Sequence, residues 1–361
     1  MRNQVALLLV LVPLLGGCPG PRDESPLTIE SLSYAPVGNQ IAFVTVGRDW
    51  MTGEAWVTTR GSPQTAPTLL LEGASWSAAP LAWRHDAQAL AIGGAPEGVN
   101  GLWLVPVGPS GTARLLMSAE DCDSPVWSPD DEQLAWVDSG EGRDSRLLVM
   151  RVADGYVREV RTTSAEPVFP QWNLDGSWIA FYGTGTTLHN GSRDSSIYVV
   201  SPDGSTEKRL DVESSGFVWA GNEELLYSLS SRRKNASGDF VTWKLNIWVT
   251  DVATGKQRRV LATTALPEKV WRGRAAPALS PDKRHLLLLG GSNMDEEGDI
   301  YRIDLDRGDV TQLTSGRTDS WPCWSGDGHT IAFVRERTSI WTMTANGAEQ
   351  TKLLDVWDLP R

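Results

Sequence analysis

The chain has 361 residues, with 33 Lys+Arg against 45 Asp+Glu, three cysteines, four histidines and 17 tryptophans. A charged fraction of 22% and a hydrophobic fraction of 40% describe a soluble globular protein and argue against disorder. The net charge of −12 argues against nucleic acid as a partner, because phosphate binding needs clustered Lys and Arg, and three cysteines are too few for a disulfide scaffold. Tryptophan, at about 5% of the chain, is the abundance that any fold must explain.

Residues 1–17 open with Arg2, continue as an apolar run over Val5–Leu15 and close on Leu15-Gly16-Gly17-Cys18. Eleven apolar residues are too few to span a bilayer as a helix but suit the core of an export signal. Small residues before a cysteine make this segment resemble a bacterial lipoprotein signal, which implies that Cys18 is lipidated and becomes the first mature residue. Residues 18–26, rich in proline and glycine, then read as an extended tether. The expected location is the cell envelope, anchored to the outer membrane and facing the periplasm, with the cell surface as the alternative; Pro19 stands where an inner-membrane retention signal would place aspartate.

From residue 27 onward the chain repeats. The clearest copies are Trp127-Ser-Pro-Asp-Asp-Glu-Gln-Leu-Ala-Trp136, Trp172-Asn-Leu-Asp-Gly-Ser-Trp-Ile-Ala-Phe181, Leu279-Ser-Pro-Asp-Lys-Arg-His-Leu-Leu-Leu288 and Trp324-Ser-Gly-Asp-Gly-His-Thr-Ile-Ala-Phe333. With weaker copies at Tyr34, Trp83 and Trp219, the anchors are spaced 49, 44, 45, 47, 60 and 45 residues apart. A second half, such as Ile197-Tyr-Val-Val-Ser-Pro-Asp-Gly204, follows each anchor and supplies another apolar strand and polar turn. Strand, tight turn, strand, loop, strand, tight turn, strand is the unit of a β-propeller. The expected fold is therefore all-β, a single propeller domain over 27–361 made of four-stranded antiparallel blades. Seven blades are expected, six being the alternative, beginning near residues 28, 77, 121, 166, 214, 273 and 318.

The Trp-Ser-Pro-Asp-Gly-x-x-Ile-Ala-Phe pattern resembles the WD40-like (PD40) repeats of TolB-type propellers, found also in the propellers of prolyl oligopeptidases, and covers about residues 28–356. The resemblance carries fold more than function. TolB has a domain ahead of six blades, where this chain has a short tether and seven copies; no Gly-x-Ser-x-Gly hydrolase elbow occurs in the sequence.

First strands line a propeller's channel, and the longer loops fall on the end away from the Asp-Gly turns, at Gly183–Asp194, Arg232–Lys244 and Thr263–Ala276. Twelve tryptophans, Trp357 among them, fit blade packing, whereas Trp50, Trp76, Trp243, Trp271 and Trp321 fall at the loop-bearing end. Polar residues at first-strand entrances point toward one another there: Asp121, Asp123, Glu166, Arg272, Arg274 and Asp319. The candidate ligand-binding set is therefore Trp76, Asp123, Glu166, Trp271, Arg272, Arg274, Asp319 and Trp321. The four histidines do not cluster, no spacing suggests zinc or calcium, and no cofactor is expected. Cys122 and Cys323 fall in first strands across the channel from each other, beyond the roughly 7 Å between Cα atoms that a disulfide allows. These observations lead to an expected role as a non-enzymatic, membrane-tethered module that binds a protein or peptide. A carbohydrate-binding or carbohydrate-processing propeller is the alternative, with glycan as ligand, and an envelope scaffold is a third reading.

Overall fold

The computed structural model describes residues 27–47, 53–61, 66–74, 81–108, 111–119, 121–140, 144–163, 166–184, 196–213, 216–234, 240–263, 277–290, 297–316 and 318–360. The signal segment with Cys18, the loop residues Trp50, Trp76, Trp271, Arg272 and Arg274, and most of the loops Gly183–Asp194 and Thr263–Ala276 lie outside them, whereas Arg232–Lys244, expected as a loop, is mostly the paired ends of the strands Glu224–Lys234 and Phe240–Asp251. All strand pairing among the described residues is antiparallel and joins strands adjacent or nearly adjacent in sequence.

An N-terminal sheet holds β1 (Thr28–Tyr34), β2 (Gln40–Val46), β3 (Gly53–Thr59), β4 (Thr68–Ala74), β5 (Leu81–Trp83), β6 (Ala89–Gly94), β7 (Gly101–Pro106) and β8 (Arg114–Ser118). Five four-stranded sheets follow. The first contains β9 (Asp123–Trp127), β10 (Gln133–Asp138), β11 (Arg146–Arg151) and β12 (Tyr156–Val160). The second contains β13 (Glu166–Trp172), β14 (Ile179–Thr184), β15 (Ser196–Val200) and β16 (Glu207–Glu213). The third contains β17 (Phe217–Trp219), β18 (Glu224–Lys234), β19 (Phe240–Asp251) and β20 (Gln257–Thr263). The fourth contains β21 (Ala278–Leu279), β22 (His285–Gly290), β23 (Asp299–Asp304) and β24 (Val310–Gln312), and the last β25 (Asp319–Trp324), β26 (Thr330–Arg335), β27 (Ser339–Thr344) and β28 (Thr351–Asp355).

The expectation of seven blades, or of six, is corrected here: five separate four-stranded blades form, and the first two copies of the repeat share one eight-stranded sheet. The join is a single residue pair, Ala74 opposite Gly94, supported by the Ala95 N–H donating to the Gly73 carbonyl at 2.7 Å. Gly73 adopts φ +78°, and a Cβ there would stand 2.9 Å from the Ala95 carbonyl oxygen, so only glycine lets the two edges touch.

Second strands are buried on both faces, as in Ile41–Val46 and Ile331–Val334. The apolar cores lie between successive sheets. Ala91 and Leu102 pack with Trp127, Leu134 and Trp136 of the next sheet, and the same arrangement recurs around the ring. One core closes the circle, joining Ile29, Ile41 and Phe43 to Val334, Ile340 and Leu354. The first strand stays in the first sheet, so the last sheet is completed by its own residues.

The tryptophans of the first strands have a second task. Trp83, Trp127, Trp172, Trp219 and Trp324 each send the indole N–H back to a carbonyl of the preceding repeat: Ser33, Ala82, Val126, Gln171 and Ala278, at 3.0–3.2 Å. Each acceptor immediately precedes that repeat's own anchor residue. Where the anchor is Tyr34 or Leu279 the indole is missing, and no such bond forms. Trp357 departs from the packing role expected of it: it sits in a short 3₁₀ turn, 51% exposed.

The tight turns follow the logic of their sequence. Ser325 donates its hydroxyl to Asp327 at 2.6 Å and accepts the Thr330 N–H, while Asp327 accepts the His329 N–H. Ser128–Asp130 and Ser280–Asp282 repeat the arrangement. Serine hydroxyl bonds hold the Asp130, Asp175, Asp282 and Asp327 carboxyls below the usual carboxylate range, and Asp203 falls to about 2. A carboxyl depressed in the folded state stabilises the fold above its unfolded value near 3.9, and this contribution is lost as pH falls through the folded value. The urea midpoint should therefore drop as pH falls from about 4 to about 2, followed by tryptophan fluorescence. A midpoint that rises or holds across that window would show that these turns contribute nothing to acid stability.

Candidate functional site

Strands β1, β5, β9, β13, β21 and β25 surround one axial cavity of about 310 Å³. Three of these strands carry the same irregularity. In β9, β13 and β25 the ladder skips a two-residue unit, Ser124-Pro125, Phe169-Pro170 and Trp321-Pro322. Proline has no N–H to donate, so the skipped step costs the ladder little. The residue ahead of each proline is left-handed, at φ 49°, 53° and 52°. That conformation costs on the order of 1–3 kcal/mol per site for a residue other than glycine and concentrates where side chains must be aimed. Phe169 and Trp321, both half-buried, line the cavity together with Gln171, and the prolines form an apolar collar. Gln171 also donates to the Phe217 carbonyl at 3.3 Å, which ties its amide to the wall.

Immediately ahead of the lining stretch 124–126, two carboxyl groups converge on one hydroxyl. Ser139, just past β10, donates to Asp121 at 3.1 Å and to Asp123 at 2.9 Å as alternative acceptors. The segment is held from behind by Gly93, where a Cβ would collide with the Cys122 carbonyl at 2.2 Å. Burial first, and the negative charge of Asp123 second, raise the Asp121 carboxyl above the usual range, outweighing its bonds from Ser139 and the Cys122 N–H. Asp138 at the end of β10 is buried and ion-paired with Arg146, whose guanidinium it holds in the charged form. The Cys122 and Cys323 thiols are free, and burial pushes both upward.

Of the residues singled out in the sequence, Trp321 lines this cavity, Asp121 and Asp123 immediately precede its lining residues 124–126 in the chain, and Glu166 opens the neighbouring β13, opposite Thr184. Asp319 is different. It is 1% exposed and meets Arg335 through two bonds of 2.8 and 3.2 Å, while that guanidinium lies over Trp341 and Phe333. Its place is inside the last sheet. Ser139, Phe169 and Gln171 escaped the sequence reading, although proline two positions before the anchor, at 125, 170, 277 and 322, was a visible regularity. Among the described residues, no three His, Cys, Asp or Glu side chains converge as a metal's donors would.

No family model and no curated protein sequence matches the chain. Solved structures do. An oligogalacturonate lyase in complex with manganese is similar with a TM-score of 0.63 at 14% identity, over 86% of each chain. An oligogalacturonate lyase from Vibrio parahaemolyticus gives 0.61 at 12% identity over 90% of each. A puromycin-hydrolysing peptidase from Mycobacterium tuberculosis gives 0.66 at 13% identity, over 91% of this chain and 54% of the peptidase. The chain is a β-propeller. At these identities the likeness carries the fold alone, in keeping with the TolB-like repeat read in the sequence. It also corrects the expectation of a non-enzymatic protein- or peptide-binding module: propellers that match this one across nine-tenths of its length are enzymes or parts of enzymes.

Proposed function

We propose that this protein is a carbohydrate-processing propeller that works at the axial cavity. The observation that carries the reading is the Asp121–Ser139–Asp123 group, which leads directly in the chain into residues 124–126 of a pocket walled by Phe169 and Trp321. Aromatic faces and an amide side chain suit a sugar ring, which offers an apolar face and a hydroxyl edge. Two carboxyl groups bonded to one hydroxyl lie within about 6 Å of each other, close enough for one to donate and the other to accept a proton on the same bound substrate. Asp121, its carboxyl raised, is the proton donor; Asp123 is the acceptor, and Ser139 keeps them in register. The oligogalacturonate lyases match over 86% and 90% of their own length and the peptidase over 54%, which supports carbohydrate over peptide as the substrate class.

The test is an incubation of the full chain with oligogalacturonates and with neutral oligosaccharides, products being resolved by anion-exchange chromatography. Asp121→Asn should reduce product formation about a hundredfold, the lower range for losing a positioned acid or base, with the far-UV circular dichroism unchanged. Turnover unaffected in Asp121→Asn, or no product from any oligosaccharide, would end this reading.

We further propose that Cys18 tethers the propeller to the envelope membrane, which the Leu-Gly-Gly-Cys signal supports. Cys18→Ser should shift the protein from the detergent phase to the aqueous phase, or leave an unprocessed precursor. Unchanged partitioning would refute the anchor.

A further inference from the structure

A second cleft, sharing no lining residue with the axial cavity, lies where the last sheet meets the first. It encloses about 320 Å³ between the turn after β3 and strands β26–β28. Arg60 extends from the first sheet and donates to the Thr330 hydroxyl of the last, and Lys352 faces the same space from β28. Thr330 and Thr342, 4% and 9% exposed, lie on the inner side of the cleft, and Thr351 and Glu349 also line it. Lys352 approaches a carboxylate, Asp355, at 3.5 Å, whereas Arg60 donates to a neutral hydroxyl, with the Asp327 carboxylate within electrostatic range.

We propose that this cleft binds a small oxyanion, carried by a phosphate- or carboxylate-bearing molecule. A guanidinium presents a planar fork that matches such oxygens, the ammonium adds a point charge from another wall, and threonine hydroxyls supply neutral donors. The recess brings Arg60 and Lys352 to its lining with one lining acid, Glu349, while Asp327 lies within electrostatic range of Arg60 and Asp355 beside Lys352. The position matters as well. This seam has Tyr34 where five other repeats place an indole, so it lacks the tryptophan-to-carbonyl bond. It is held instead by the Ile29 N–H donating to the Arg337 carbonyl at 2.7 Å, by the Arg337–Glu30 ion pair and by Arg60 itself. An anion held by Arg60 on one side and by Lys352 and Thr342 on the other would cross-link the first and last sheets.

Isothermal titration of the full chain at constant ionic strength, once with inorganic phosphate and once with succinate, tests this. Saturable heat with either probe supports the site, and the probe that binds identifies the oxyanion class. Arg60→Gln and Thr342→Val should each weaken that binding at least tenfold; the second variant keeps the shape of the floor and removes only its hydroxyl. Near-UV circular dichroism establishes that both variants are folded. No saturable binding of either probe, or equal affinity in wild type and both folded variants, would overturn the proposal.

Discussion

Trp172→Ala should destabilise the protein by about 3–5 kcal/mol, the range for truncating a buried tryptophan. The side chain is 7% exposed and packs with Ala135, Leu147 and Phe181, so its loss opens the core between two successive sheets. It also strands the Val126 carbonyl, which now accepts the indole N–H at 3.2 Å. Trp172→Phe separates the two effects. It keeps most of the apolar volume and removes the donor, so it should cost about 1 kcal/mol, the net worth of one hydrogen bond. Urea denaturation of both variants measures the difference. A cost for Trp172→Ala no greater than for Trp172→Phe would show that the indole acts as a hydrogen-bond donor and contributes little by packing.

Arg335→Ala should be about as damaging, at about 3–5 kcal/mol, because removing one partner of a buried ion pair leaves the other charge uncompensated. Asp319 is 1% exposed, and its two oxygens are met by Nε and Nη2 of Arg335. The guanidinium also covers the ring of Trp341 at 4.6 Å and donates to Gln350, so truncation removes packing as well as charge. Arg335→Lys retains a cation without the planar fork and should recover only part of the loss. Chemical denaturation decides: a loss below about 1 kcal/mol, the scale of an exposed pair, would mean that Asp319 reaches solvent or another donor.

How far the sequence could be read depended on the range of each interaction. The repeat and its turns were legible because their chemistry is local: Ser325, Asp327 and Thr330 satisfy one another within six residues. Asp319 was misplaced because its partner lies 16 residues away, and the bulge at Trp321-Pro322 decides what that strand presents to the channel. The merging of the first two repeat copies turns on one contact between Ala74 and Gly94, which no periodicity records. Ser139 was invisible for another reason. A serine after a strand is unremarkable until the fold brings it between Asp121 and Asp123.

Each sheet of this ring is assembled from consecutive strands, and none waits for a strand from the opposite end of the chain. That arrangement has a consequence for the order of events as the polypeptide emerges. A chain appearing N-terminus first can finish one sheet before the next is delivered, and each newcomer that carries an anchor tryptophan finds its acceptor already in place on the sheet before it. Pairing partners stay close in sequence, which favours rapid folding and shortens the time that apolar edges are bare. A single junction must wait. Only when residues 330–356 have arrived can Ile29, Ile41 and Phe43 be covered and Arg60 find Thr330. Until that moment the growing protein is an open arc whose first sheet keeps its outer apolar face uncovered.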